Sequence, residues 1–132
     1  MIGSLVVAVA QPPCMPGEIA LTAAAHAVAV RAACARVVVF PELSLTGYGF
    51  DVPAVAPDDP CLAPIVDACA ETGTLALVGA PVDDTDDRSY IAMLAVEGSG
   101  VRVAYRKVNV HSSEPVGSFA VAALDEIVKG LT

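Results

Sequence analysis

Two charged residues stand where apolar runs end, and their types suit acid–base chemistry. Glu42 follows the run VVVF after a single proline, in the segment VVVFPELSLTGYGFD at residues 37–51. Lys107 lies near the end of a later apolar run, in AYRKVNVHSSE. A carboxylate can act as a general base, and a fixed ammonium can stabilise developing negative charge. Because ligands bind outside the carboxyl ends of strands in open α/β sheets, we expect both side chains to face one cleft.

The elements that must position this pair follow from hydrophobic patterning and from the glycines and prolines. Short continuous apolar runs predict buried strands, and Ala-rich or amphipathic segments predict helices. The predicted strands are Leu5–Ala10, Arg36–Phe40, Leu75–Gly79, Tyr90–Glu97 and Val101–Val108, and the predicted helices cover 16–35, 63–72 and 118–131. Gly98-Ser99-Gly100 indicates a hairpin between the last two strands. The order indicates an α/β protein with a parallel βαβ unit at its start.

Composition and net charge limit which partners we expect the protein to bind and in which compartment we expect it. The 132 residues fit one domain, 1–132, and the net charge of −8 argues against binding to nucleic acid or to an anionic membrane surface. No apolar run approaches a membrane span, and the start of the chain lacks the basic residues of a secretion signal. The four cysteines show no CxxC and no zinc-like spacing with histidine, so a cytoplasmic protein with reduced thiols and no metal or other cofactor is expected.

Two segments resemble the nitrilase superfamily, the carbon–nitrogen hydrolases. They are VVVFPELSLTGYGFD and YRKVNVHSSE, and they are supported by VAVAQP near the start and by TGTLALVGAP before the third loop. The resemblance covers residues 4–114. It implies a nitrilase-like αββα sandwich, of which this chain is expected to hold about the first half, followed by the terminal amphipathic helix at 118–131.

The resemblance also implies roles for three residues. Glu42 corresponds to the general base, Lys107 to the group that stabilises the oxyanion, and Glu114 to a second, positioning glutamate. Such an enzyme hydrolyses a small amide, carbamoyl compound or nitrile through a cysteine nucleophile, without a metal. The family's cysteine follows the lysine, whereas no cysteine follows Cys69 in this sequence.

Alternatives to catalysis therefore stay open. One is a module that binds a small amide without chemistry, or that pairs with another subunit, a homo-oligomer included. Another is a truncated remnant without function. Cys14 follows the first strand at the same predicted edge as Glu42, so it is a candidate substitute nucleophile, whereas Cys34, Cys69 and His26 are interpreted as packing residues.

Overall fold

The computed structural model describes residues 3–48, 52–83 and 89–107, and within these ranges it shows five strands and two α-helices. Their bounds are β1 Val7–Val9, α1 Ile19–Ala33, β2 Val37–Val39, α2 Ala63–Thr72, β3 Leu75–Asp83, β4 Ser89–Glu97 and β5 Gly100–Arg106. A short 3-10 helix, Pro60–Leu62, leads into α2. The predicted helix at 118–131, the residue Glu114 and most of the acidic turn after β3 lie outside the described residues.

The strands form one sheet in the order β1-β2-β3-β4-β5. β1, β2 and β3 are parallel to each other, which confirms the predicted βαβ unit, whereas β4 is antiparallel to both β3 and β5. Two antiparallel steps bring β5 back to the direction of β2 and β3. The carboxyl ends of β2, β3 and β5 therefore lie side by side at one end of the strands, which we call the carboxyl edge of the sheet.

Both faces of the central strands are buried, which explains why they read as unbroken apolar runs. The larger core cluster lies between the sheet and the helices and includes Val38, Val78 and Leu94 with Val30 and Ile65. The smaller cluster lies on the opposite face and contains Val37, Leu75, Leu77, Met93 and Ala95. Neighbouring residues of one strand, such as Val37 and Val38, thus serve different clusters.

The prediction of a buried first strand was wrong. β1 is shorter than the apolar run that predicted it, and Val9 is 83% exposed. Among the described residues β1 pairs with β2 alone, so it is an edge strand that the core covers on one side only.

The predicted first helix was too long at both ends. Gly17 has a φ of +78° and forms a turn before Ile19, and Cys34, with a φ of +50°, ends the helix. Cys34 is exposed, so its interpretation as a packing residue was also wrong.

The third strand extends past Gly79 to Asp83, although Gly79 and Pro81 both read as strand terminators. Pro81 pairs with Ile91 of β4, and its carbonyl accepts a hydrogen bond from Val55 N–H at 2.7 Å on the opposite side. The proline nitrogen faces the same side as this carbonyl, toward the loop that contains Val55. Because it does not face β4, its lack of a hydrogen removes no hydrogen bond between β3 and β4.

Candidate active site

Glu42 lies in a tight turn that continues directly from β2. Ser44 N–H donates to Pro41 O at 3.1 Å, and Gly47 N–H donates to Leu43 O at 2.7 Å. Leu43 has a φ of +54°, a left-handed conformation that costs a non-glycine residue about 1–2 kcal/mol. The strain is confined to the residue after Glu42, as is common where a side chain is held for a function.

The turn is seated on Gly79 of β3. Leu45 N–H donates to Gly79 O at 3.0 Å, and Gly79 N–H donates to Ser44 Oγ at 3.1 Å. A Cβ at position 79 would lie 2.9 Å from the Glu42 carbonyl carbon and closer still to Leu43 N and Pro41 O. Glycine is therefore required at this position for the Glu42 turn to pack across the middle of β3.

Lys107 reaches the same place from the end of β5. Its N–H donates to Ile91 O at 2.8 Å, which fixes the backbone beside β4, and its Nζ lies 3.6 Å from Glu42 Oε1. The two side chains are only 20% and 27% exposed, so they are poorly screened by water. The structure thus brings together the carboxylate and the ammonium that the sequence placed at strand ends.

Tyr48 supplies a second partner for the carboxylate. Its O–H donates to Glu42 Oε2 at 2.7 Å, six residues along the chain. Tyr48 is 72% exposed, so this hydrogen bond to a carboxylate is the main reason that the pKa of Tyr48 is raised to about 12. The two oxygens of Glu42 are therefore held by different groups, Oε1 by Lys107 and Oε2 by Tyr48. Sequence reasoning did not single out Tyr48, although its position in the same tight turn as Glu42 was a usable signal.

Replacing Glu42 by Gln is expected to return the pKa of Tyr48 toward the ordinary tyrosine value of about 10, because the neutral amide no longer favours the protonated phenol. The measurement is an NMR titration of tyrosine labelled with ¹³C at Cζ. A Tyr48 pKa that stays at about 12 in the variant would contradict the contact with the carboxylate.

The same shift has a consequence for stability at alkaline pH. The phenol ionises more readily in the unfolded chain, so its contribution to folding is fully present below pH of about 10 and is lost as pH rises toward the folded value. The free energy of unfolding should therefore fall more steeply in this window for the natural chain than for Tyr48→Phe.

The four cysteines lie in different environments. Cys14 lies beside the turn, with its Sγ 3.2 Å from where a Cβ on Gly47 would be, but within the described residues no hydrogen bond joins it to Glu42. Cys69 is buried, as predicted, and burial raises the pKa of its thiol to about 11. A hydrogen bond with Asp59 raises the pKa of the Cys61 thiol. The environments of Cys61 and Cys69 therefore disfavour a thiolate.

Other kinds of site find no support in the described ranges. Residues 3–48, 52–83 and 89–107 contain no group of three or more His, Cys, Asp or Glu side chains placed to hold a metal ion. Within the same ranges, the helices are too short or too polar to cross a membrane. The predicted positioning residue Glu114 lies outside them.

Comparison with known proteins finds similarity in sequence and in fold. The model of the carbon–nitrogen hydrolase family matches residues 6–122. A protein named "Hydrolase in pqqF 5′ region", from Pseudomonas protegens, is 33% identical over 91 residues, which cover 64% of this chain and 32% of that protein. The chain thus spans about a third of the length of this curated relative.

Solved structures show the same fold at low identity. An N-terminal amidase bound to an Asn-Glu peptide matches with a TM-score of 0.66 and 22% identity, over 83% of this chain and 29% of that one. A CN-hydrolase superfamily protein of Xanthomonas campestris matches with a TM-score of 0.70 and 15% identity, over 91% of this chain and 45% of that one. The five-stranded sheet with its two helices therefore corresponds to a part of these larger structures.

Proposed function

Because the chain belongs to the carbon–nitrogen hydrolase family, we propose that Glu42 and Lys107 form the base and the oxyanion-stabilising half of a thiol-dependent hydrolytic site. The substrate is a small amide, carbamoyl compound or nitrile, and the bond cleaved is a non-peptide C–N bond. The observation that supports this most strongly is the 3.6 Å separation between Glu42 Oε1 and Lys107 Nζ at the shared carboxyl edge of β2 and β5.

Glu42 acts first as the base and then as the acid. Its carboxylate takes the proton of the nucleophilic thiol, and the thiolate attacks the substrate carbon. With an amide or carbamoyl compound, the C–N bond breaks and the carboxyl group returns the proton to the leaving nitrogen. With a nitrile, the carboxyl group gives this proton to the nitrogen of the thioimidate, and ammonia leaves after one water has added, which gives the same thioester. The same carboxylate then activates the water that hydrolyses the thioester, which restores the thiol and releases the acid.

Lys107 stabilises the negative charge that develops on the substrate oxygen or on the nitrile nitrogen. Its ammonium has three N–H donors, so one can point at the substrate while the charge stays beside Glu42. The poor exposure of both side chains strengthens this electrostatic effect, because little water competes for the charges.

The thiol comes from outside these 132 residues in this proposal. Cys14 lies against Gly47, and within the described residues no hydrogen bond joins its thiol to the Glu42 carboxylate. Cys69 is buried, and the Cys61 thiol is hydrogen-bonded to Asp59. Cys34 ends α1 and lies before the start of β2, whereas Glu42 follows the end of β2.

The direct test supplies a small thiol to the chain. Ammonia release from propionamide, N-carbamoylglycine and propionitrile is measured with and without 2-mercaptoethanol, using Lys107→Met as the control. We expect release from one of these classes that requires both the thiol and Lys107. Release that is equal with and without Lys107 would refute the proposal.

The reactivity of the four cysteines gives an independent prediction. Alkylation of each thiol by iodoacetamide is followed by mass spectrometry in the natural chain and in Glu42→Gln. We expect Cys69 to be protected and the rate at Cys14 to be the same in both proteins, because Glu42 is engaged with Lys107 and Tyr48. Fast alkylation of Cys14 that slows in Glu42→Gln would instead identify Cys14 as the nucleophile.

A second candidate function is binding of a small amide without chemistry, favoured by the placement of an acceptor, Glu42 Oε1, 3.6 Å from a donor, Lys107 Nζ. An amide N–H suits Glu42 as the acceptor, and an amide carbonyl suits Lys107 as the donor. Calorimetry with propionamide, and with N,N-dimethylpropionamide as a control that lacks the N–H, tests this function. Binding of propionamide alone, lost in Glu42→Gln and without ammonia release, would favour binding over catalysis.

A further inference from the structure

A buried polar chain lies directly beneath the Glu42 turn. His26 of α1 is fully buried, and its Nε2 lies 3.0 Å from Ser44 Oγ, across 18 residues of sequence. The Nδ1 of the same ring lies 2.8 Å from Thr22 O. Ser44 Oγ in turn accepts the N–H of Gly79 at 3.1 Å. We call these three connected residues, His26, Ser44 and Gly79, the His26 relay.

The hydrogen-bonding partners fix the tautomer of the ring. A carbonyl oxygen has no proton to give, so Nδ1 of His26 must donate to Thr22 O. In the neutral imidazole Nε2 is then an acceptor, and the Ser44 O–H donates a hydrogen bond to it. Burial lowers the pKa of His26, which keeps this neutral form at ordinary pH. Every polar group in the relay therefore has one defined role.

The relay holds the turn on both sides of Glu42. The His26 ring stacks on Phe40, two residues before Glu42, with ring centroids 4.3 Å apart and an interplanar angle of 28°. The same ring accepts from Ser44, two residues after Glu42. One side chain of α1 thus contacts the chain two residues before and two residues after the carboxylate-bearing residue.

This arrangement exceeds what packing requires. An aromatic hydrocarbon would fill the same space beside Phe40 without burying two ring nitrogens, whose burial has a cost unless both are hydrogen-bonded. The hydroxyl of Ser44 likewise requires an acceptor once the turn is seated on β3. The hydrogen bond between His26 and Ser44 therefore fixes the strained turn in one position. Apolar contacts alone would fix it less well, because they do not require a defined direction.

We propose that His26, acting through Ser44, is a positioning residue that holds the Glu42 carboxylate beside Lys107 and Tyr48. His26 does not touch the substrate. Its importance for hydrolysis rests on the proposed role of Glu42 as the base, whereas its effect on the position of the carboxylate does not depend on any reaction.

The test uses the pKa of Tyr48 as a reporter of the carboxylate's position, read by NMR of tyrosine labelled with ¹³C at Cζ. The variants are Ser44→Ala, which removes the hydroxyl, and His26→Phe, which keeps the stack and removes both hydrogen bonds. Thr74→Val is the matched control, because Thr74 Oγ1 makes a buried hydrogen bond to Ala35 O at 2.8 Å near the opposite edge of the sheet. Glu42→Gln gives the value expected when the carboxylate contact is lost.

We expect the Tyr48 pKa to fall toward the Glu42→Gln value in Ser44→Ala and in His26→Phe, and to stay at about 12 in Thr74→Val. A value of about 12 in Ser44→Ala would overturn the inference, and this variant decides alone if His26→Phe does not fold. A fall in pKa without thiol-dependent ammonia release would uphold the positioning role and refute the proposed function. Ammonia release with an unchanged pKa in Ser44→Ala would do the reverse.

Discussion

Replacing Glu42 by Gln is expected to lower thiol-dependent ammonia release by about 10²- to 10⁴-fold, the usual effect of removing a general base. Glutamine keeps the size of the side chain and can still accept from Tyr48. It cannot take a proton from the thiol, and it leaves the Lys107 ammonium without its counter-charge at 3.6 Å. The loss should appear mainly in kcat, because the proton is transferred in the chemical step.

Glu71→Gln is the matched control for this variant. It makes the same change of net charge at an exposed residue of α2, near the opposite edge of the sheet, where Glu71 pairs with Arg31 at 2.8 Å. Exposed ion pairs contribute little to stability, so this control should keep the rate of the natural chain. Equal rates in Glu42→Gln and Glu71→Gln would exclude Glu42 as the base.

Replacing Gly79 by Ala is expected to lower the free energy of unfolding by about 1–3 kcal/mol, the usual cost of overpacking. The new methyl group would be forced against backbone atoms of Pro41, Glu42 and Leu43, which cannot rotate away as a flexible side chain can. The displaced turn would also move the carboxylate from Lys107, so the Tyr48 pKa should fall as well. Urea unfolding and the tyrosine titration measure the two effects.

Gly3→Ala is the control for the glycine substitution. A Cβ at Gly3 has nothing within 4 Å, so this variant should unfold like the natural chain. If Gly79→Ala were as stable as Gly3→Ala and kept a Tyr48 pKa of about 12, the close seating of the turn on β3 would be wrong.

The meeting of Glu42 with Lys107 could be predicted because it depends on strand direction alone. A parallel βαβ unit and a hairpin were readable from apolar runs and from the GSG turn. With the antiparallel pairing of β3 and β4, which the structure adds, they give β2 and β5 the same direction. Once the direction is known, residues that follow the two strands must lie at one edge of the sheet. The catalytic roles of the two residues, and that of Glu114, stay predictions.

The contacts that orient the carboxylate could not be predicted in this way. The hydrogen bond between His26 and Ser44 joins a helix to a turn across 18 residues, and no local pattern encodes it. The third strand was predicted to end at Gly79, yet it continues through Pro81 to Asp83. The missing Cβ of Gly79 suits the close approach of the turn, and the missing N–H of Pro81 suits its place beside the Val55 loop. β1 has the same apolar run as a central strand, so its position at the edge was invisible to periodicity.

The most direct test of the central claim is whether Glu42 and Lys107 act as one site. Thiol-dependent ammonia release is measured for the natural chain, Glu42→Gln, Lys107→Met and the double variant. Residues of one catalytic unit are strongly non-additive, so the account predicts that the double variant loses little more activity than the more damaging single variant. Losses that multiply would contradict the claim, since they would show the two residues acting independently, and so would single variants that keep the rate of the natural chain.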